Sequence, residues 1–249
     1  GAAQVAALRR IARAAPPPRL SRPLRVDDLP VEVAATDLDQ DLAPPSRMWA
    51  LIGAGGDELG PVGVDLLADG PGFTVAGPAR SGRSTALLTM AGSLLAREVA
   101  LVLVTPRRSA LRGLAGRPGV LAVLDGDADA AALASAVREH PRHVVIVDDV
   151  ELVAGTALDD ALDDALRQAR DGDHAVVLAG TGDDLKAAYR GAVATALRSR
   201  SGLLLDVRGP DDGDLLGVRL PRNAGSGPVG RAILVRLGVP QPVQVALSE

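Results

Sequence analysis

The segment at residues 73–85, FTVAGPARSGRST, constrains the fold of this chain more than any other stretch. A short apolar run ends at Ala76, a loop bounded by two glycines follows, and a helix-forming run begins near residue 83. This order predicts a strand, a phosphate-binding loop and a helix, because glycines let backbone N–H groups turn toward a phosphate beside a helix N-terminus. Against the pattern G-x-x-x-x-G-K-[ST], the two glycines and Ser84 fit, but Arg83 stands where lysine is expected.

The substitution at Arg83 decides what this loop can do. Lysine reaches the phosphates as a compact, flexible charge, whereas arginine is longer, planar and forked. We therefore expect weakened nucleotide binding and strongly reduced turnover, with Arg83 either misplacing the γ-phosphate or projecting out of the site. The alternative is a glycine-rich turn without a ligand. The predicted phosphate-binding residues are Gly77, Pro78, Ala79, Arg80, Ser81, Gly82, Arg83, Ser84 and Thr85.

A second motif, VVIVDD at residues 144–149, places two acids directly after four β-branched residues. This is the Walker B pattern, in which a carboxylate at the end of a strand faces the phosphate loop. Asp148 would hold Mg²⁺ together with the Ser84 hydroxyl, and Asp149 occupies the position that polarises the attacking water. Asp149 is one methylene shorter than the usual glutamate, so its reach is reduced. The alternative is an acidic turn between a strand and a loop.

A third candidate is Thr181, which follows an apolar run at residues 175–179. A polar residue at the end of the strand after Walker B occupies the position that senses the γ-phosphate in many ATPases. The same threonine also suits the N-cap of a following helix. The sequence leaves both roles open.

From residue 73 onward, apolar strands alternate with amphipathic helices, which predicts an α/β fold with a mostly parallel sheet covered by helices on both faces. Two short apolar segments before the phosphate loop, at residues 48–53 and 61–66, predict an N-terminal β-hairpin. The predicted strands are 73–76, 99–105, 120–124, 144–148, 175–179, 203–207, 232–236 and 243–247. The predicted helices are 83–97, 128–139, 157–170 and a pair between 183 and 198.

Charge divides the chain at its N-terminus. Residues 1–25 carry six arginines and no acid, so the remainder carries a net charge of −10 within the overall −4. Together with five prolines in residues 16–30, this predicts a helix and a Pro/Arg-rich interdomain linker over residues 1–30, before one ATPase domain over residues 31–249. The alternative to a linker is a frayed terminus. The acidic body disfavours DNA as a partner. The chain has no cysteine and no apolar run long enough to cross a bilayer.

Several motifs together resemble a known family. They lie at residues 77–85, 105–109 (TPRRS), 147–152 (VDDVEL), 189–191 (YRG), 212–217 (DGDLLG), 220–221 (LP), 228–232 (PVGRA) and 243–246 (VQVA). In this order they resemble an FtsK/SpoIIIE-type ATPase domain, and within that group the C-terminal (third) ATPase domain of EccC-type type VII secretion motors. The resemblance covers roughly residues 45–247.

The resemblance implies a RecA-like core that binds ATP and Mg²⁺. It also implies upstream ATPase domains in the same chain, a hexameric motor at the cytoplasmic face of the membrane, anchored by N-terminal segments absent here, and a secreted substrate that docks through a signal peptide. Arg83 and Asp149 depart from the family's catalytic pattern.

These observations predict a degenerate ATPase module that binds ATP–Mg²⁺, hydrolyses it little or not at all, and acts in regulation or substrate docking. Two alternatives stay open at this point. One is an active FtsK-like DNA translocase domain, and the other is a partner-binding module whose nucleotide site is empty.

Overall fold

The computed structural model describes residues 3–7, 10, 27–39, 43–169, 171–222, 224 and 227–248. Residues 3–7 and 10 are helical. The predicted linker lies mostly outside the described residues, so the division of the chain at residue 30 stays a prediction. Within the described ranges, no helix is long and apolar enough to cross a membrane.

Ten strands in the described part of the chain form one sheet, in the order β2-β1-β10-β9-β8-β3-β7-β6-β4-β5. The strands are β1 (Trp49–Gly55), β2 (Gly60–Asp65), β3 (Gly72–Ala76), β4 (Ala100–Val104), β5 (Val120–Leu124), β6 (His143–Val147), β7 (His174–Gly180), β8 (Gly202–Leu205), β9 (Arg231–Arg236) and β10 (Val239–Val245). The helices are α1 (Ala35–Asp39), α2 (Arg83–Leu95), α3 (Ala130–Val137), α4 (Ala157–Gln168), α5 (Gly182–Ala187) and α6 (Gly191–Leu197). Short 3₁₀ helices lie at Ala110–Leu114, Val150–Leu152 and Pro210–Leu216.

The six strands from β8 to β5 are parallel to one another. Their sequences are near-continuous runs of Val, Leu, Ile and Ala, because both faces of this half of the sheet are covered. One face packs against α2 through residues such as Leu87 and Met90. The other face packs against α3, α4, α5 and α6. The predicted α/β fold with helices on both faces is confirmed.

The other half of the sheet is antiparallel and runs from β8 through β9, β10 and β1 to β2. The predicted N-terminal hairpin is confirmed, with Trp49 paired to Asp65. The hairpin joins the sheet through β10, where Gly53 pairs with Val245. The predicted C-terminal strand at 243–247 is found earlier in the chain, at Val239–Val245.

This topology fixes where a ligand can bind. Because β3, β4, β6, β7 and β8 are parallel, their carboxyl ends meet at one edge of the sheet, and the loops that follow them lie side by side. Ligands of open α/β sheets bind at this edge.

Candidate nucleotide-binding site

The predicted phosphate loop lies between β3 and α2, as expected. Gly82 has a φ of 104°, in the left-handed region that favours glycine. A Cβ at Gly77 would lie 2.5 Å from Ser81 Oγ and 2.8 Å from Leu205 Cβ, so no side chain fits there without movement. The loop is joined to β7, the neighbour of β3 in the sheet, because the Gly77 N–H donates to the Gly180 carbonyl over 3.2 Å. Both glycines of the motif are therefore required by the backbone.

Arg83 turns inward from the first turn of α2 and reaches the end of β6. Its Nη2 lies 2.5 Å from Asp149 Oδ1, and its Nη1 donates to the Gly77 carbonyl over 3.2 Å. The two side chains of the ion pair are only 13% and 17% exposed. Asp149 has a φ of 54°, a left-handed conformation that aspartate adopts more readily than most residues. The guanidinium thus bridges the phosphate loop and the second acid of Walker B.

Asp148 is 4% exposed and lies at the same edge. Its Oδ2 accepts hydrogen bonds from Ser84 Oγ over 3.1 Å and from Ser109 Oγ over 2.7 Å. Its Oδ1 is buried and has no hydrogen-bond partner among the described residues. An orphaned carboxylate oxygen beside a serine hydroxyl suits a hydrated Mg²⁺, which takes one or two carboxylates and keeps several waters. Ser84 and Asp148, the predicted metal ligands, are therefore brought together by the fold.

Ser109 was not assigned a role from the sequence. It follows β4, the neighbour of β6, and its hydroxyl also accepts from the Leu111 N–H at the start of a 3₁₀ helix. The signal that could have found it is the TPRRS segment at residues 105–109, which lies at the carboxyl end of a strand next to Walker B.

Glu151 is a further acid that the sequence did not single out for chemistry. Its Oε2 is buried without a partner in the described structure, and a Cβ at Gly180 would lie 2.7 Å from it. Burial raises the pKa of the Glu151 carboxyl, and the nearby negative charge of Asp149 raises it further. The acidic cluster after β6 thus contains one carboxyl group that resists ionisation.

Thr181 caps the helix α5, one of its two predicted roles. Its Oγ1 accepts from the Asp184 N–H over 3.3 Å and donates to Asp184 Oδ2 over 2.5 Å. Thr181 also lines a cavity of about 220 Å³ together with Gly77 and Pro78. A role in sensing the γ-phosphate stays a prediction.

The remaining loop residues form the rim of the site. Pro78, Ala79 and Arg80 are exposed, Thr85 is half-buried, and Ser81 is buried. The Ser81 carbonyl accepts from the Gly230 N–H over 3.2 Å, which joins the phosphate loop to the segment before β9.

The histidines lie elsewhere. His143 and His174 begin β6 and β7, at the edge opposite the phosphate loop, and their rings stack with centroids 5.0 Å apart. In the part of the chain that the structure describes, no group of three His, Cys, Asp or Glu side chains could hold a metal ion by itself.

Comparison with solved structures supplies relatives for this fold. The cytoplasmic domain of EssC aligns with 98% of this chain at a TM-score of 0.72 and 18% sequence identity, over 52% of its own length. EssC ATPases 2 and 3 from Geobacillus thermodenitrificans align with 98% of this chain at a TM-score of 0.73 and 19% identity, over 49% of their length. The cytoplasmic domain of the Thermomonospora curvata type VII secretion ATPase EccC aligns with 89% of this chain at a TM-score of 0.69 and 22% identity, over 28% of its length.

The chain thus spans about half the length of the two EssC structures and less of EccC. Neither a protein-family model nor a curated protein matches the sequence. The resemblance drawn from the motifs is confirmed at the level of the fold. The chain has the RecA-like P-loop ATPase fold that is found in EssC and in the type VII secretion ATPase EccC.

Proposed function

We propose that this chain is a nucleotide-binding ATPase module of an EccC-like secretion motor, and that it binds ATP–Mg²⁺ while hydrolysing it little or not at all. The observation that carries the proposal is the ion pair between Arg83 and Asp149. The pair is formed by the two residues that depart from the pattern of an active P-loop ATPase. It lies where the γ-phosphate and the attacking water would bind.

Binding needs only what the site retains. The phosphate loop offers backbone N–H groups and the N-terminus of α2, both of which attract phosphate oxygens. Ser84 and Asp148 would hold Mg²⁺, which offsets the negative charge of the phosphates when bound. None of these groups depends on a lysine at position 83.

Turnover needs what the site lacks. A carboxylate that polarises water must be within hydrogen-bond reach of that water and free to accept its proton. Asp149 is short and its Oδ1 is engaged by Arg83. For Arg83 to reach the γ-phosphate it must leave Asp149, which then loses its partner inside a mostly buried site. The two requirements oppose each other, so hydrolysis is slow.

A module that holds nucleotide without consuming it suits regulation or substrate docking. One of the matching solved structures contains Thermomonospora curvata EccC ATPases 2 and 3 in complex with a signal sequence peptide. By analogy, we propose that this module works beside other ATPase domains of the same chain in a hexameric motor at the cytoplasmic face of the membrane, and that a substrate signal peptide is among its partners.

The test combines two measurements on the same protein. Thermal unfolding is recorded with Mg·ATP and with ATP plus EDTA, and phosphate release is recorded at saturating Mg·ATP. We expect stabilisation by Mg·ATP, which reaches about 2.7 kcal/mol at a ligand concentration of 100 Kd, together with negligible release. The variant Ser84→Ala should lose the Mg²⁺-dependent part of the stabilisation.

Each other outcome selects a different function. No stabilisation by any nucleotide would indicate a partner-binding module with an empty site. Brisk release that DNA stimulates, with salt-dependent DNA binding, would indicate a DNA translocase domain. The net charge of −10 outside residues 1–25 argues against that outcome.

A further inference from the structure

The order of the strands places the two acids after β6 on one side of the phosphate loop. β3, which leads into the phosphate loop, has β7 on one side and β8 on the other, and β6 lies beyond β7. Asp148 and Asp149 follow β6, so the γ-phosphate and its cation belong on the β7 side of the loop. The side of β3 that faces β8 and β9 then remains for the α-phosphate, ribose and base.

A cavity lies on that side of the phosphate loop. It has a volume of about 200 Å³ and is walled by Pro78–Ser81, by Asp206 and Arg208 after β8, and by residues 227–229 and 231 before and at the start of β9. It adjoins the 220 Å³ cavity over Gly77, with which it shares Pro78, Asp206 and Arg208. Together the two fall within the roughly 300–1,000 Å³ range of small-molecule sites.

The segment at residues 227–231 is held rigidly against the phosphate loop. The Gly230 N–H donates to the Ser81 carbonyl, and the Gly230 carbonyl accepts from the Val245 N–H over 2.9 Å. The Gln244 side chain donates to the Val229 carbonyl over 3.0 Å and accepts from Arg231 Nε over 3.0 Å. The backbone of the segment is thus fixed while one of its side chains is left free.

That free side chain is Val229, which is 74% exposed beside the phosphate loop. Singly exposed apolar side chains are common on protein surfaces, but Val229 differs from them because it lines the cavity beside the phosphate loop. Pro228 extends the apolar wall, and Arg208 contributes a planar guanidinium that pairs with Asp206 over 3.0 Å. Apolar side chains and a guanidinium plane are groups that pack against the flat face of a base.

We propose that Val229 and Pro228, with Arg208, form the subsite that takes the nucleobase of the bound nucleotide. The proposal rests on the proposed function, since it assigns the base end of the same site. It makes the 228–232 segment (PVGRA) part of the ligand site rather than only the start of β9. The triphosphate is recognised by the loop and its cation, and the base by this wall.

The test separates the base from the phosphates. Dissociation constants are measured for Mg·ATP and for Mg·tripolyphosphate with wild-type protein and with Val229→Ser, which removes apolar surface without adding charge. The matched control is Val239→Ser, because Val239 is 67% exposed but lies at the far end of the β9–β10 hairpin. We expect Val229→Ser to weaken Mg·ATP binding roughly three- to tenfold, the scale of one apolar side-chain contact, and to leave tripolyphosphate binding unchanged. Val239→Ser should change neither.

Different failures have different meanings. If Val229→Ser weakens both ligands equally or neither, or if wild-type protein binds ATP no tighter than tripolyphosphate, the base subsite is wrong while the phosphate site stands. If wild-type protein binds neither ligand, the proposed function falls and this inference falls with it.

Discussion

The guanidinium of Arg83 and the carboxylate of Asp149 lie 2.5 Å apart, although 66 positions separate them in the sequence. Each residue departs from the pattern of an active P-loop ATPase, and each side chain is held in a hydrogen bond by the other. A forked arginine spans the distance to a short aspartate and still donates to the Gly77 carbonyl. The two departures therefore act as one structural unit, and we expect their effects on turnover to be coupled.

The first prediction follows from this coupling. Replacing the pair with Arg83→Lys and Asp149→Glu together should raise Mg²⁺-dependent phosphate release at least about tenfold over wild type, because a compact ammonium frees the carboxylate and glutamate extends its reach. Either single substitution should give much less, because each leaves one residue mismatched. Steady-state phosphate release from the four proteins measures this as a double-mutant cycle.

The control for this cycle is the same double variant with Ser84→Ala added, which should return release to background. Additive effects of the two single substitutions would contradict the coupling, even if both raised turnover.

The second prediction concerns Asp148, whose Oδ1 has no partner in the described structure. Asp148→Asn should leave the free energy of unfolding without ligand within about 1 kcal/mol of wild type, because the amide keeps an acceptor and removes a buried charge. It should abolish the stabilisation by Mg·ATP beyond that by ATP in EDTA. Denaturant unfolding with and without Mg·ATP measures both effects, and a variant that kept the full Mg²⁺ effect would remove Asp148 from the metal site.

The third prediction concerns the pH dependence that Glu151 produces. Because burial and Asp149 raise its pKa in the folded state, the folded protein keeps a proton that the unfolded chain loses above the ordinary glutamate pKa of about 4.3. Stability therefore falls as pH rises from that value through the raised pKa. Glu151→Gln, which mimics the protonated form, should raise the unfolding temperature at pH 8 and raise it less at pH 5.

Glu139→Gln is the matched control for Glu151, since Glu139 is exposed in the turn that follows α3. Its unfolding temperature should follow that of wild type at both pH values. A Glu151→Gln variant that is destabilised equally at pH 5 and pH 8 would show that the carboxylate is favourably paired in solution.

The fourth prediction tests the cap at Thr181. Thr181→Ala removes the hydroxyl that accepts from the Asp184 N–H, so it should lower the free energy of unfolding by about 1 kcal/mol. Thr181→Ser keeps the hydroxyl and should retain most of the stability. Denaturant titration of the three proteins gives the values, and equal stability of wild type and Thr181→Ala would mean that the cap contributes nothing.

Sequence patterns predicted the strands and helices of the parallel half of the sheet well. Buried strands such as β4 and β6 are continuous apolar runs with no polar alternation, and the helices between them carry a clear apolar face. The amphipathic α4, with Leu158, Leu162 and Leu166 buried on one side, shows this directly. Local pattern is enough to recognise such elements, because their own residues mark which faces are buried, but it does not give the order of the strands: β3 pairs with β7 and β8, far along the chain.

Apart from the β1–β2 hairpin, which local apolar segments predicted, the antiparallel half depended on contacts that no local pattern contains. The pairing of β1 with β10 joins Gly53 to Val245 across most of the chain. β10 also begins earlier than its apolar run. Pro240 and Pro242 lie inside the strand, and prolines at these positions indicate a loop when only the sequence is considered.

The site divides in the same way. The sequence singled out Ser84, Asp148 and the glycines because each belongs to a local motif, and the fold places them at one edge of the sheet. It did not predict the hydrogen bond from Ser109 to Asp148 or the ion pair between Arg83 and Asp149. Both interactions depend on the lateral order of strands in the sheet. The sequence gives no sign of the unusual Glu151 carboxyl, because its raised pKa comes from burial in the folded protein.

If the site holds ATP without consuming it, as we propose, then the nucleotide that stays bound to the protein must be ATP and not ADP. The protein is incubated with Mg²⁺ and γ-labelled ATP, separated from free nucleotide, and sampled over time for bound ATP and released phosphate. We expect retained nucleotide that stays ATP, with conversion slower than about 0.01 per second, a hundredfold below the ~1 per second low end of typical enzymes. Rapid conversion of the bound ATP to ADP, or the absence of any retained nucleotide, would contradict it.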